Sequence, residues 1–174
     1  MKIVLAIVAV IALLIVIVLV IGAILPKQHT ASMSRVVRGT PASVYAIIRD
    51  AASASQWRKD VERVEIIDAA HFREHAKYGA VTYEIVEEKP PTRYVTRIAD
   101  TNLGYGGSWI YGFTPQGDDT RVTITENGEV TNLFFRFMSR FVFGYTGNME
   151  KVLAALAAKC DTAPRPNAAP SPAR

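Results

Sequence analysis

Two histidines and a glutamate in the string His71-Phe72-Arg73-Glu74-His75 follow the H-x-x-E-H order that one class of zinc metalloproteases carries. Zinc binding there needs the two histidines one helical turn apart, so that both imidazoles reach one metal ion. The flanking residues alternate like strands, and positions four apart in a strand are roughly 13 Å distant. We therefore predict a solvated strand or hairpin at this string, and no metal site.

Glu126 and Glu129 are the carboxylates whose spacing could support general acid–base chemistry. Glu126 has the same parity as Val122 and Ile124, so its side chain could point into the interior of the domain. A buried carboxyl group has a raised pKa and can exchange protons near neutral pH. The pattern favours a strand end with hydrated or arginine-paired carboxylates. It leaves a polar contact with a ligand open, and it makes Glu126 the one candidate catalytic residue.

Aromatic side chains recur at strand spacing and then at helical spacing. Such side chains typically line apolar small-molecule pockets. Arg97 lies on the strand face opposite Tyr94, Thr96 and Ile98, and the pattern does not fix which face is interior. Arg97 is therefore either a surface charge or an anchor for a ligand carboxylate, and the two tryptophans either pack in the core or line the pocket. The predicted ligand-binding residues are Trp57, Tyr83, Arg97, Trp109, Tyr111, Glu126, Phe134 and Phe137.

Several function classes are disfavoured by composition. The glycine-rich stretch Gly104 to Gly107 lacks the strand–loop–helix order of a phosphate-binding loop, so it predicts a turn, and we predict no cofactor. Most of the net charge of +4 comes from the two ends of the chain, whereas a nucleic-acid binder carries a basic patch on its folded part. The single cysteine, Cys160, excludes an intramolecular disulfide and is expected to be inert.

The first element that must position these residues is an apolar segment, Ile3 to Leu25, built from Ile, Val, Leu, Ala and one glycine. As a helix it extends roughly 35 Å, enough to cross a hydrocarbon core of about 30 Å. A cleaved signal peptide has a shorter apolar core and a small-residue cleavage site, whereas this run ends in Pro26-Lys27. We predict a retained single-pass anchor. The basic residues favour a cytoplasmic domain only by a small margin, so the side of the membrane on which the domain lies stays open.

Three regions follow from these observations: an anchor and linker (1–28), one folded domain (29–160) and a tail (161–174). The tail is rich in proline and alanine, has no large apolar residue and is predicted to be disordered. The domain begins with a strand, and Thr40-Pro41 then caps a short helix. A second helical turn ends near Trp57.

About six strand segments with short turns come next, which favours an antiparallel meander. Helical periodicity then runs from Leu133 to Cys160, interrupted by Gly144 and Gly147. This order predicts an α+β domain in which a curved antiparallel sheet wraps around a long C-terminal helix and leaves an apolar cavity between them. For Leu133 to Phe143, with Arg136 and Arg140 four apart, packing on the sheet is favoured over contact with lipid headgroups.

Several short motifs along the domain are typical of one superfamily, and they include Ser34-Arg35-Val36-Val37, Thr40-Pro41, Val44-Tyr45, Gln56-Trp57-Arg58, Gly107-Ser108-Trp109, Thr120 to Val130 and Phe135-Arg136-Phe137. In these motifs the chain resembles the START/Bet v 1-like (SRPBCC) superfamily with its helix-grip fold, and within it bacterial proteins of the polyketide cyclase/dehydrase and lipid transport type. The resemblance covers essentially the whole domain and is more specific for fold than for function.

The resemblance and the anchor imply membrane-anchored binding or transport of a hydrophobic small molecule or lipid, in a bacterial inner membrane. Two alternatives stay open. One is a cyclase- or dehydrase-like enzyme with Glu126 or a tyrosine as proton shuttle, and the other is a non-catalytic envelope scaffold whose cavity is collapsed. The sequence leaves the ligand and the oligomeric state open.

Overall fold

A computed structural model describes residues 1–77 and 79–162 of the chain. Within these ranges the elements are α1 (Lys2–Ile24), β1 (Gln28–Arg38), α2 (Pro41–Arg49), α3 (Ala54–Trp57), β2 (Arg63–Ile66), β3 (His71–Ala76), β4 (Gly79–Lys89), β5 (Arg93–Ile98), β6 (Tyr105–Gln116), β7 (Asp119–Val130), α4 (Leu133–Met138) and α5 (Gly147–Thr162). A 3₁₀ turn, Ala51–Ser53, joins α2 to α3, and a π-helical turn, Ser139–Phe143, follows α4.

The strands form one antiparallel sheet in the order β1-β7-β6-β5-β4-β3-β2. Sequential strands from β2 to β7 are neighbours, and β1 closes the far edge against β7, so the predicted α+β helix-grip meander is confirmed. The register places Thr96 opposite Trp109 and Trp109 opposite Glu126. Because side chains alternate between faces, this row of paired residues defines the inner face of the sheet.

Helix α5 covers part of that inner face. Its buried residues recur three or four apart, as an amphipathic helix requires: Met149, Val152, Leu153, Leu156 and Cys160. They join one core cluster with Val44 of α2 and with Val122 and Ile124 of β7. Burial raises the pKa of the Cys160 thiol to about 11, so the sulfur is a protonated packing group at neutral pH.

The region before α5 differs from the prediction. In the segment Leu133–Phe143, α4 packs mainly against the end of α1 and touches the sheet at β7. Gly22 allows this close approach, since any Cβ at that position would overlap the carbonyl of Leu133. The favoured sheet packing of this segment was therefore wrong.

Helix α1 is the one helix within the described ranges that is long and apolar enough to cross a membrane. The chain turns directly from it into β1, which begins at Gln28, one residue before the predicted domain start. At the other end, α5 continues through Thr162, so Asp161 and Thr162 are helical and were wrongly assigned to the tail. The rest of the predicted tail, 163–174, lies outside the described residues.

Candidate functional site

A cavity of about 810 Å³ separates the inner face of the sheet from the N-terminal end of α5. Small and apolar residues from α3 and from strands β3 to β6 form much of its wall, and the turn between α4 and α5 contributes Val142 and Phe143. Five of the predicted ligand-binding residues line it: Trp57, Tyr83, Trp109, Tyr111 and Glu126.

The other three predicted residues, Arg97, Phe134 and Phe137, are not among the lining residues. Arg97 points outward because its neighbours Thr96 and Ile98 face the cavity, and its guanidinium binds Glu84 on the outer face at 2.6 Å. Phe134 is exposed and Phe137 packs on Phe141, because their helix lies beside α1. The prediction that these three residues line the cavity was therefore wrong.

An ion triad in the cavity wall, made of the mostly buried Arg58 and Glu74 and the half-exposed Asp60, was not anticipated from the sequence. The Arg58 guanidinium donates to Glu74 at 2.7 Å and to Asp60 at 2.7 Å. Arg58 directly follows α3, and Glu74 points inward from β3. Only 16% of the Arg58 side chain and 13% of the Glu74 side chain are exposed. The H-x-x-E-H string had drawn attention to Glu74, but its histidines lie on the outer face, bound to Asp68 and Glu65.

Burial and pairing act in opposite directions on this triad. Burial alone would lower the pKa of Arg58, but the Glu74 and Asp60 carboxylates raise it above its ordinary value, so Arg58 stays charged. Burial raises the pKa of Glu74 more than Arg58 lowers it. For Asp60 the result is reversed: burial raises the pKa, but the hydrogen bond and the charge of Arg58 outweigh it and the pKa falls below the ordinary value.

The raised pKa of Glu74 gives a testable dependence of stability on pH. The folded chain holds this proton more tightly than the unfolded chain, so the free energy of unfolding falls as pH rises from the ordinary carboxyl value of 4.5 through the raised value. The Glu74→Gln variant lacks this contribution. As pH rises above 4.5, its free energy of unfolding is expected to decline less than that of the wild type. Urea unfolding at successive pH values measures the difference, and parallel curves for the two proteins would contradict it.

Glu126 is held in a second polar cluster near the start of β1. Its Oε1 lies 3.1 Å from His29 Nε2, and its Oε2 accepts from Trp109 Nε1 at 2.9 Å. The His29 ring stacks on Tyr145 with centroids 3.9 Å apart. Gly128 makes room for this histidine, since a Cβ there would overlap the imidazole. Strand parity in the sequence pointed to Glu126. Nothing in the local sequence indicated that β1 pairs with β7 and so brings His29 to Glu126.

Three tyrosines of the cavity wall are neutral hydroxyl groups. Burial raises the pKa of Tyr83, Tyr94 and Tyr111 above the ordinary phenol value. Each can therefore donate or accept a hydrogen bond at neutral pH, and none supplies a phenolate base.

Negative charge predominates among the ionisable residues of the wall. Four carboxylates line the cavity, Asp60, Glu74, Glu126 and Glu129, against the cationic Arg58 and Lys151 and the imidazole of His29 beside Glu126. An anionic ligand group buried beside Glu74 or Glu126, whose side chains are 13% and 22% exposed, meets a like charge in a poorly solvated space, which costs free energy. Within residues 1–77 and 79–162, no three His, Cys, Asp or Glu side chains are grouped so that they could hold a metal ion.

The comparisons with known proteins agree with this architecture. Residues 28–161 match the family described as polyketide cyclase / dehydrase and lipid transport. A START superfamily protein from Mycobacterium smegmatis superposes with a TM-score of 0.63 at 13% identity, over 76% of this chain and 97% of that one. A conserved protein from Geobacillus kaustophilus gives 0.66 at 16%, over 76% and 95%.

A third similar structure is an enzyme. A point mutant of norcoclaurine synthase from Thalictrum flavum, in complex with a transition-state analogue, superposes with a TM-score of 0.61 at 10% identity, over 76% of this chain and 94% of that one. At such low identities these structures show a shared fold alone. No curated protein matches the chain. The family match over residues 28–161 shows that the chain belongs to the polyketide cyclase / dehydrase and lipid transport family, and its fold is that of the START superfamily protein.

Proposed function

We propose that this protein is a membrane-anchored binding protein for a hydrophobic small molecule or lipid. The observation that carries the proposal is the cavity of about 810 Å³, a volume within the usual range of small-molecule sites. Aromatic and aliphatic side chains from the sheet form part of the cavity wall, and α1 supplies the anchor. An open interior of this size also speaks against a scaffold protein with a collapsed cavity.

The polar groups of the wall favour a ligand with a neutral or cationic head. The carboxylates outnumber the cationic side chains, and Arg58 already has two carboxylate partners at 2.7 Å. An amine or hydroxyl group would find acceptors at Glu74 or Glu126 and neutral tyrosine hydroxyls beside them. A carboxylate or phosphate head would have to compete with Glu74 and Asp60 for Arg58.

The enzymatic alternative depends on Glu126 as a proton shuttle. Both carboxylate oxygens already accept a hydrogen bond, one from Trp109 and one involving His29. This arrangement holds the carboxylate in place and fits a positioning role or a ligand contact better than free proton transfer. The histidine beside it is the specific observation that keeps the cyclase- or dehydrase-like chemistry as a second candidate.

The ligand class is tested with three amphiphiles that share a dodecyl chain and differ in the head: dodecylamine, dodecanol and dodecanoate. Native mass spectrometry of the full-length chain, released from detergent micelles, is expected to show one-to-one adducts with the amine and the alcohol. Dodecanoate is expected to bind about tenfold more weakly, a difference of roughly 1.4 kcal/mol. Absence of a one-to-one adduct with all three contradicts the binding function, and preference for dodecanoate contradicts the proposed head chemistry.

A further inference from the structure

The junction between α1 and the domain is built around one buried cation. Arg136 of α4 is 4% exposed, and its guanidinium donates to the carbonyls of Gly22 and Leu25 at 2.9 and 3.1 Å. It also donates to the carbonyls of Val130 and Thr131, at 3.0 and 3.1 Å. These carbonyls include ones at the end of α1, where a cation is favoured by the helix dipole. One side chain thus ties the end of α1 to the end of β7.

Helix α4 lies alongside the last two turns of α1. Three α1 residues, Val18, Ile21 and Gly22, and the C-cap Leu25 are buried or half-buried at helical spacing, while most of the helix is exposed. Gly22 lies directly against the Leu133 backbone. The apolar run of α1 ends at Leu25, so α4 is at the depth of the final apolar turns of the helix, roughly 10 Å measured along its axis.

The segment after α4 exposes large apolar side chains at the same end of the domain. We call residues 141–143 the lip; Phe141, Val142 and Phe143 are 58%, 58% and 65% exposed. Val142 and Phe143 also line the cavity, so the lip is part of its mouth. Phe134 and Phe135 of α4 are exposed beside it. Water would not be a favourable neighbour for so many clustered aromatic residues.

We propose that the lip and the exposed side of α4 are seated in the bilayer leaflet from which α1 emerges, held there by Arg136, so that the cavity exchanges its ligand directly with the membrane. The occupant of this surface is lipid, because α4 is already fixed beside the membrane-crossing part of α1. Apolar side chains on an interfacial helix are buried about 5–10 Å into the headgroup and acyl boundary. The inference rests on the proposed function for the ligand, but the seating of the lip can be measured separately.

The test places a fluorophore at the lip and a control fluorophore at the far end of the sheet. Phe143→Cys and Asp118→Cys, each with Cys160→Ala, are labelled with NBD in full-length chain reconstituted into phosphatidylcholine nanodiscs. Asp118 lies in the β6–β7 turn, and the length of β7 separates it from Val130, roughly 40 Å at 3.3 Å per residue. With 5-doxyl phosphatidylcholine in the discs, NBD at position 143 is expected to lose at least about half its emission, because it lies in the acyl boundary. NBD at 118 is expected to keep its emission.

The role of Arg136 is tested in the same assay. Arg136→Ala is expected to reduce quenching at position 143 at least about twofold, because the domain is then free to tilt on its anchor. Arg140→Ala is the matched control, an exposed arginine one turn later, and is expected to leave quenching unchanged. Gly22→Leu is a second way to separate α1 from α4, and it is expected to have the effect of Arg136→Ala.

The outcomes separate this inference from the proposed function. Equal emission at positions 143 and 118 overturns the seating of the lip, even if dodecylamine still binds. Quenching at 143 that persists in both Arg136→Ala and Gly22→Leu overturns the positioning role of Arg136. If position 143 is quenched but no amphiphile adduct forms, the seating of the lip is supported and only the binding function is contradicted.

Discussion

Arg58→Met is expected to lower the free energy of unfolding by about 3–5 kcal/mol, the largest stability effect among the substitutions considered for the cavity wall. The methionine keeps much of the side-chain volume but removes the cation that two carboxylates share. Glu74 would then be a buried carboxylate with no opposite charge beside it, and it would have to take up a proton or draw in water. The measurement is urea unfolding of the full-length chain in nanodiscs, followed by tryptophan fluorescence.

Arg97→Met is the matched control for this substitution. It removes an arginine from the Glu84 pair on the outer face, where 57% of the Arg97 side chain is exposed. Its expected cost is below about 1 kcal/mol, because water replaces the lost partner. The double variant Arg58→Met, Glu74→Leu is expected to recover more than half of the loss, since no buried charge is left unpaired. Equal costs for the two arginine substitutions would contradict a buried Arg58–Glu74 ion pair.

Filling the cavity is expected to have the largest effect on ligand binding. Val81→Trp together with Ile98→Trp places two indole rings inside the cavity, one from β4 and one from β5. Dodecylamine is expected to bind at least about tenfold more weakly, because the rings occupy the volume that the alkyl chain needs. Adduct formation in native mass spectrometry measures the change.

The control for cavity filling is Val86→Trp, on the same strand as Val81 but outside the cavity. Val86 is 42% exposed, so the new ring lies in solvent and the affinity is expected to be unchanged. Tryptophan fluorescence of the variants checks that the domain has folded. If the double variant binds dodecylamine as tightly as Val86→Trp does, the ligand lies elsewhere, for example along α1.

The elements that local chemistry determines were predictable from sequence. The apolar run of α1 has only one stable form in a membrane, and Thr40 caps α2 through a bond from the Ser43 amide, as the Thr-Pro pair indicated. The alternation along β6 correctly placed Trp109 and Tyr111 on one face of the strand, because strand parity is a local property.

What depends on contacts between distant segments was not predictable. Arg97 could not be placed until the register showed that Thr96 faces Trp109. The Arg58–Glu74 pair joins a helix end to a strand sixteen positions later, with no periodic signal linking the two. The pattern of the aromatic run from Leu133 to Phe143 favoured packing on the sheet, and only the contacts of Gly22 and Arg136 show that α4 lies against the end of α1 instead.

The most direct test of a ligand cavity is photocrosslinking in the membrane. A dodecylamine that carries a diazirine near the end of its chain is added to the full-length protein in nanodiscs, irradiated, and mapped by peptide mass spectrometry. Adducts are expected on inner-face residues of β4 to β6, around Tyr83, Ile98 and Tyr111, and are expected to disappear in the variant with Val81→Trp and Ile98→Trp. Adducts confined to α1 and the lip, with none under the sheet, would contradict the binding function.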